Sequence, residues 1–216
     1  MTGAEVLALD VGGTKLAAGL VDRQGRLRHR AATPTPPGAD PEALLATVVD
    51  LLAGVRGETR PAAIGVGCGG PMCTTAATPT VSPLNIPAWR EFPLRDRLAE
   101  TFDVPAAVDN DAKALALGEG WVGAAAGHRD HLAMVVSTGV GGGIVLDGRL
   151  LDGAEGNAGH IGHIIVEPDG RICPCGARGC LEAEASGTAI REITGADPRE
   201  ASTEVRKRTG RLVGRA

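Results

Sequence analysis

The sequence predicts an α/β fold assembled from two related halves with a cleft between them, and three observations carry that prediction. Residues 7–27 (LALDVGGTKLAAGLVDRQGRL) and 132–150 (LAMVVSTGVGGGIVLDGRL) share one plan. Each has an apolar strand, a turn of small residues, a second apolar strand and a turn ending in Gly-Arg-Leu, which is a weak internal repeat. Helical spacing follows the first hairpin, and short apolar strands alternate with further helical segments down the chain.

Taken in order, residues 6–9 form a strand ending at Asp10, the turn is Val11-Gly12-Gly13-Thr14-Lys15, and residues 16–21 return as its partner. Residues 33–40 are rich in Pro and Gly and read as a loop. Residues 41–55 place Leu44, Leu45, Val48, Leu51 and Leu52 on one helical face, with Asp40 as N-cap and Pro41 in the first position. Residues 64–67 are a short buried strand. Residues 69–93 are a loop punctuated by Pro71, Pro79, Pro83, Pro87 and Pro93, and residues 94–101 a short helix. A strand at 106–108 runs into Asp109-Asn110-Asp111, and residues 112–126 read as a helix with a glycine-interrupted end. The second hairpin follows, and residues 198–216 are expected to form one amphipathic helix through Val205, Leu212 and Val213.

Composition removes several function classes. The chain has 216 residues, 43% hydrophobic and 22% charged, enough for a real core. Aromatics make up 2%, with no Tyr, so the core is aliphatic and a base-stacking platform for nucleic acid is excluded. A net charge of −4 gives no general grip on phosphate backbones. No apolar run reaches the roughly 18 residues of a membrane span. No basic stretch precedes an apolar one at the start, so the expectation is a cytoplasmic protein without a signal peptide.

The two glycine-rich turns suit phosphate oxygens, because such turns present successive backbone N–H groups. Asp10 and Thr14 flank one, Ser137 and Thr138 the other; ordinary tight hairpins remain the alternative. A P-loop is absent, and residues 139–143 lead into a strand rather than a helix, against a dinucleotide-binding turn. Cys173, Cys175 and Cys180 follow His163 at compact spacing, a thiolate and imidazole set that suits a closed, structural zinc site. Three reduced thiols beside an unrelated His are the alternative. His160 is then left to face the cleft. Cys68 and Cys73 read as small buried hydrophobes. From spacing alone, residues 109–111 are helix-capping side chains, and Glu182 is a surface carboxylate made rigid by its place two residues after Cys180.

The motifs Asp10-Val-Gly-Gly-Thr-Lys15, Val108-Asp-Asn-Asp-Ala112, Ser137-Thr-Gly-Val-Gly-Gly-Gly143, Gly159-His-Ile-Gly-His163 and Cys173-Pro-Cys-Gly-Ala-Arg-Gly-Cys-Leu-Glu182 together resemble the ROK family (repressors, open reading frames and kinases), above all its bacterial glucokinases. The resemblance covers about residues 7–187 and is most specific in the cysteine element. It implies an actin- and hexokinase-like (ribonuclease H-like) two-lobed fold with mixed sheets. The N-terminal lobe would cover residues 1–111, and a partial C-terminal lobe with the zinc loop residues 112–216. It implies transfer of the ATP γ-phosphoryl group to a hexose hydroxyl, glucose first. Asp111 would act as general base, with Asn110, His160, His163 and Glu182 on the sugar. Asp10 would sit near Mg²⁺, with Gly12, Gly13, Thr14, Lys15, Thr138 and Gly139 around the phosphates, and His163, Cys173, Cys175 and Cys180 would hold zinc. Asp109 is expected only to cap. Related kinases suggest a homodimer.

Two departures from the family pattern qualify these expectations. His160 stands where the family usually has a sugar-gripping Glu, which puts the sugar's identity in question. Family members also continue further, with a segment that covers the adenosine, so the second lobe is expected to be incomplete and residues 1–216 alone to turn over poorly. A catalytically deficient sugar-binding or regulatory member is the alternative. A DNA-binding regulator would need a module ahead of the first strand, where this chain has only a few residues.

Overall fold

The computed structural model describes residues 4–73, 77–154 and 156–216. The first hairpin forms as its sequence dictates: β1 (Val6–Val11) and β2 (Lys15–Val21) pair antiparallel, with Asp10 opposite Ala17. β3 (Leu27–Pro34) extends the sheet beyond β2, a strand that carries no sequence signal ahead of the loop expected from 33. Its first four residues, Leu27, Arg28, His29 and Arg30, are all exposed, so an edge position replaces the apolar alternation that would have marked it. α1 (Pro41–Arg56) is capped by Asp40, whose side chain accepts from Ala43 N at 2.8 Å, and it buries Leu44, Leu45, Val48, Leu52 and Val55.

β4 (Ala63–Cys68) adds to β1 in parallel, and after a short ribbon of β5 (Met72–Cys73) and β6 (Thr80–Val81) comes α2 (Leu94–Phe102). Residues 74–76 of the expected loop lie outside the described residues. β7 (Ala106–Asn110) pairs parallel with β4 and completes a sheet of order β3-β2-β1-β4-β7. One aliphatic core joins this sheet to α1 and α2, with Trp89 fully buried, stacked on Phe92 at 4.9 Å and donating its indole N–H to Pro41 O.

α3 (Asp111–Val122) stops before its expected end at 126, at Gly123, and crosses to the second hairpin. There β8 (His131–Val136), β9 (Val140–Leu146) and β10 (Arg149–Leu150) form a sheet of order β10-β9-β8. The glycine run in β9 has a packing cause: a Cβ on Gly141 would meet Ala112 Cβ at 2.8 Å, and one on Gly143 would meet Ala116 Cβ at 2.7 Å. These glycines let α3 lie directly on the strand. α4 (Leu181–Ala185), α5 (Gly187–Thr194) and α6 (Thr203–Val213) follow. A second small core joins Val140, Val166, Leu181, Ala185 and Leu212. The single helix expected over 198–216 is interrupted: Pro198–Glu200 is one tight turn, and α6 restarts where the Ser202 side chain caps Val205 N. Among the described residues no helix is long and apolar enough to cross a membrane.

Candidate active site and metal centre

Three parallel strands, β1, β4 and β7, end together, and the carboxyl ends of such strands are where α/β sheets place ligands. Register puts Asp10 beside Gly67, Gly67 beside Asp109, and Cys68 beside Asn110. Gly67 sets the spacing, because a Cβ there would lie 3.3 Å from Asp111 Cα. The start of α3 therefore comes down onto the sheet end, which brings Asp111 near enough for its charge to act on Asp10. Removal of water from the Asp10 carboxyl, then the Asp111 charge, raise its pKa above the ordinary 3.8 against the opposing pull of Lys15. Cys68, beneath the pair, is pushed up to about 12 by burial and by Asp111 and Asp10, so it is an inert core thiol as expected. Cys73 departs from the same expectation: it is exposed, because in the two-residue β5 Met72 points inward and Cys73 outward.

The cap of α3 is Asn110, whose Oδ1 accepts from Ala112 N at 3.0 Å and Lys113 N at 3.3 Å. That fixes the side chain and leaves its amide nitrogen on the cleft side, where a Cβ on Gly70 would meet both Asn110 Nδ2 at 3.7 Å and His160 Cε1 at 3.4 Å. Asp109, expected only to cap, instead pairs with Lys113 Nζ at 3.0 Å. His160 reaches the same place as Asn110. Its Nε2 is buried with no hydrogen-bond partner among the described residues. Burial, then the Lys113 charge, lower its pKa below the ordinary 6.5 against the opposing pull of Asp111 and Asp109, so the ring is neutral at pH 7.

Both glycine turns are anchored from behind. In the first, Gly12 N–H is engaged by Lys15 O at 3.0 Å, while Thr35 donates its hydroxyl to Gly12 O and its amide to Thr14 O. Gly13 lies against Asn85, and Lys15 is exposed. In the second, Gly187 N donates to Ser137 O at 2.7 Å, and Thr188 donates its hydroxyl to Thr138 O at 2.9 Å. Glu182 Oε2 accepts from Val140 N at 2.9 Å and closes on Gly139, where a Cβ would overlap it. One Glu182 oxygen thus holds the turn.

His163 ends the turn Ile161–His163, and Cys180 immediately precedes α4. The ligand atoms of His163, Cys173, Cys175 and Cys180 all lie within 4.8 Å of one another. His163 Nδ1 is 3.6 Å from Cys173 Sγ, and Cys175 Sγ is 3.8 Å from Cys180 Sγ. Metal–sulfur bonds of about 2.3 Å and metal–nitrogen bonds of about 2.0–2.1 Å give tetrahedral edges of about 3.6 and 3.8 Å, so the four residues fit a zinc-sized ion. Gly176 and Gly179 supply the left-handed turns (φ 94° and 75°) that fold the cysteine loop back on itself.

Sheet order and the paired glycine-rich hairpins belong to a two-lobed α/β architecture of the actin and hexokinase kind. The ROK family profile matches residues 6–209, and the chain belongs to the ROK family. It is 37% identical to the glucokinase of Thermotoga maritima over 88% of this chain and 59% of that relative. It is 42% identical to the N-acetylmannosamine kinase of Citrobacter koseri over 85% of this chain and 62% of that relative. Among solved structures, it matches a ROK family glucokinase from Streptomyces griseus in complex with glucose and AMPPNP. There the TM-score is 0.78 and the identity 37%, over 89% of this chain and 62% of that one. The chain thus spans about three fifths of the length of these relatives.

Gly67 and Lys113 escaped the sequence reading. Neither lies in a recognisable signal, since one acts through strand register and the other through a contact 39 residues away with Asp152.

Proposed function

We propose that the protein is the sugar-binding and phosphate-binding part of a sugar kinase that moves the γ-phosphoryl group of ATP to a hexose hydroxyl, with glucose the first candidate. The observation that carries this reading is that Gly67, beside Asp10 in the sheet, lets the start of α3 bring Asp111 onto the same strand ends, near enough for its charge to act on Asp10. Asp111 would accept the hydroxyl proton as that oxygen bonds to the γ-phosphorus and the bond to the bridging oxygen breaks, releasing ADP. Such transfers depend on positioning and charge stabilisation more than on covalent chemistry. Asp10 would face Mg²⁺ through water, since Mg²⁺ keeps much of its hydration shell, and when bound Mg²⁺ neutralises phosphate charge. The backbone of Gly13, Thr14, Thr138 and Gly139, together with Gly12 and Lys15, would surround the phosphates. Asn110, His160, His163 and Glu182 would hold sugar hydroxyls. Zinc on His163, Cys173, Cys175 and Cys180 would be structural, bracing the loop that leads to Glu182. The two separate hydrophobic cores support a division into lobes near residue 111.

A second reading concerns the sugar. His160 offers one neutral, partnerless nitrogen where a carboxylate would bind two adjacent hydroxyls. That favours a sugar presenting an amide or a single hydroxyl there, and a 2-acetamido sugar is the natural candidate beside the similarity to N-acetylmannosamine kinase. Sugar-dependent ADP release, measured with glucose, mannose, N-acetylmannosamine and N-acetylglucosamine, tests both readings. Release with one hexose class supports the kinase and identifies the sugar. Sugar binding without release with any of them supports the catalytically deficient alternative.

A further inference from the structure

Lys113 is a fully buried lysine two residues past Asp111, with 1% of its side chain exposed. An ammonium has three N–H donors, and here each meets an acceptor: Asp152 Oδ1 at 2.6 Å, Asp109 Oδ1 at 3.0 Å and Gly156 O at 3.1 Å. Burial opposes its charge, but the hydrogen bonds to Asp152 and Asp109 outweigh it and raise its pKa, so it remains a cation.

The three acceptors belong to two separate parts of the chain. Asp109 closes β7 just ahead of Asn110 and Asp111, and its Oδ1 also accepts from Asn110 N at 2.7 Å. Asp152 and Gly156 belong to the loop that runs from β10 to His160. Gly153, Gly156 and Gly159 adopt left-handed φ of 71°, 75° and 86° in that loop, and glycines restrict their own backbone least. Within the loop Ala158 N donates to Asp152 O at 3.0 Å, and the ammonium grips the loop at two further points, Asp152 Oδ1 and Gly156 O. An apolar side chain could fill the same volume without the cost of burying a charge. What the charge adds is the bridge.

We propose that Lys113 is a positioning residue that joins the strand end bearing Asn110 and Asp111 to the loop bearing His160, so that both walls of the sugar site keep one spacing. The proposal rests on the sugar-kinase reading only for what those walls face.

Hydrogen exchange read by mass spectrometry on the metal-loaded protein tests the bridge directly. Asp152 is 60% exposed, so Asp152→Ala should fold normally. It should speed exchange of residues 156–161 about tenfold or more through local opening, leaving β4 and residues 173–181 unchanged. Lys113→Met should do the same and also loosen residues 110–113, and Lys113→Arg should restore part of the protection. The double variant should exceed Lys113→Met by little, because the two side chains share one interaction. With the preferred sugar, Asp152→Ala should raise KM about tenfold with kcat little altered, the pattern of lost positioning on binding. Unchanged exchange at 156–161 in Asp152→Ala, fully additive effects, or faster exchange at an unaltered KM would each overturn the proposal. If the unmodified protein neither binds a sugar nor transfers phosphate to one, the kinase reading fails, and the exchange experiment still decides the bridge.

Discussion

Glu182→Ala should loosen the second glycine turn by an amount the structure allows to be estimated. Val140 N–H, on a residue 6% exposed, donates to Glu182 Oε2 at 2.9 Å. A hydrogen bond to a charged group contributes about 1.5–3 kcal/mol, and water cannot easily replace the acceptor at a buried donor. At about 1.4 kcal/mol per decade this becomes roughly a 10- to 150-fold rise in local opening. NMR-detected exchange of the Val140 amide reads that rise directly. Glu182→Gln keeps an acceptor oxygen and the side-chain shape, so it should show only a fraction of the effect. Cys180, a proposed metal ligand, stands two residues before Glu182, so stripping the metal should reproduce part of the rise. Unaltered exchange at Val140 in Glu182→Ala would refute the idea that Glu182 holds this turn.

The other perturbations are simpler. Elemental analysis should find one zinc per chain, and Cys175→Ser should lose it to a chelator that leaves the unmodified protein loaded; equal retention by both would refute the four-ligand site. Asp10 has a raised pKa, so its protonated form favours the folded state. That stability is fully present below the ordinary carboxylate value of 3.8 and is lost as pH rises through the raised value. Asp10→Asn should therefore raise the melting temperature at pH 7 without ligands while abolishing Mg²⁺-nucleotide binding, and a lower melting temperature would contradict the assignment. Gly67→Ala puts a methyl 3.3 Å from Asp111 Cα. It should cost about 1–3 kcal/mol as overpacking and reduce turnover by displacing Asp111, which a urea titration and a kinetic assay read separately.

Local chemistry decided how much was legible. Asp40 before Pro41, the glycine turns and the compact cysteine spacing each specify structure within a few residues, and α1, both hairpins and the clustering of His163 with the three cysteines formed accordingly. β3 was not legible because an exposed edge strand needs no apolar alternation. Asp109, expected to cap, pairs with Lys113 and leaves the cap to Asn110, since either can cap a helix and only the buried Lys113 decides which is free to. Ser202 was overlooked as a cap inside an apparently continuous amphipathic run. The approach of Asp111 to Asp10 depends on the registers of β1, β4 and β7 and on the missing Cβ of Gly67, which are tertiary facts.

The central claim is that Asp111 accepts the proton of the sugar hydroxyl. Single-turnover transfer of label from γ-labelled ATP to sugar, with protein in excess, reads even slow chemistry and tests it most directly. Asp111→Asn preserves shape and should bind sugar normally, as calorimetry would verify, while the transfer rate falls by roughly 10²–10⁴-fold, the usual contribution of a general base. Transfer by Asp111→Asn at a rate close to that of the unmodified protein would contradict the account.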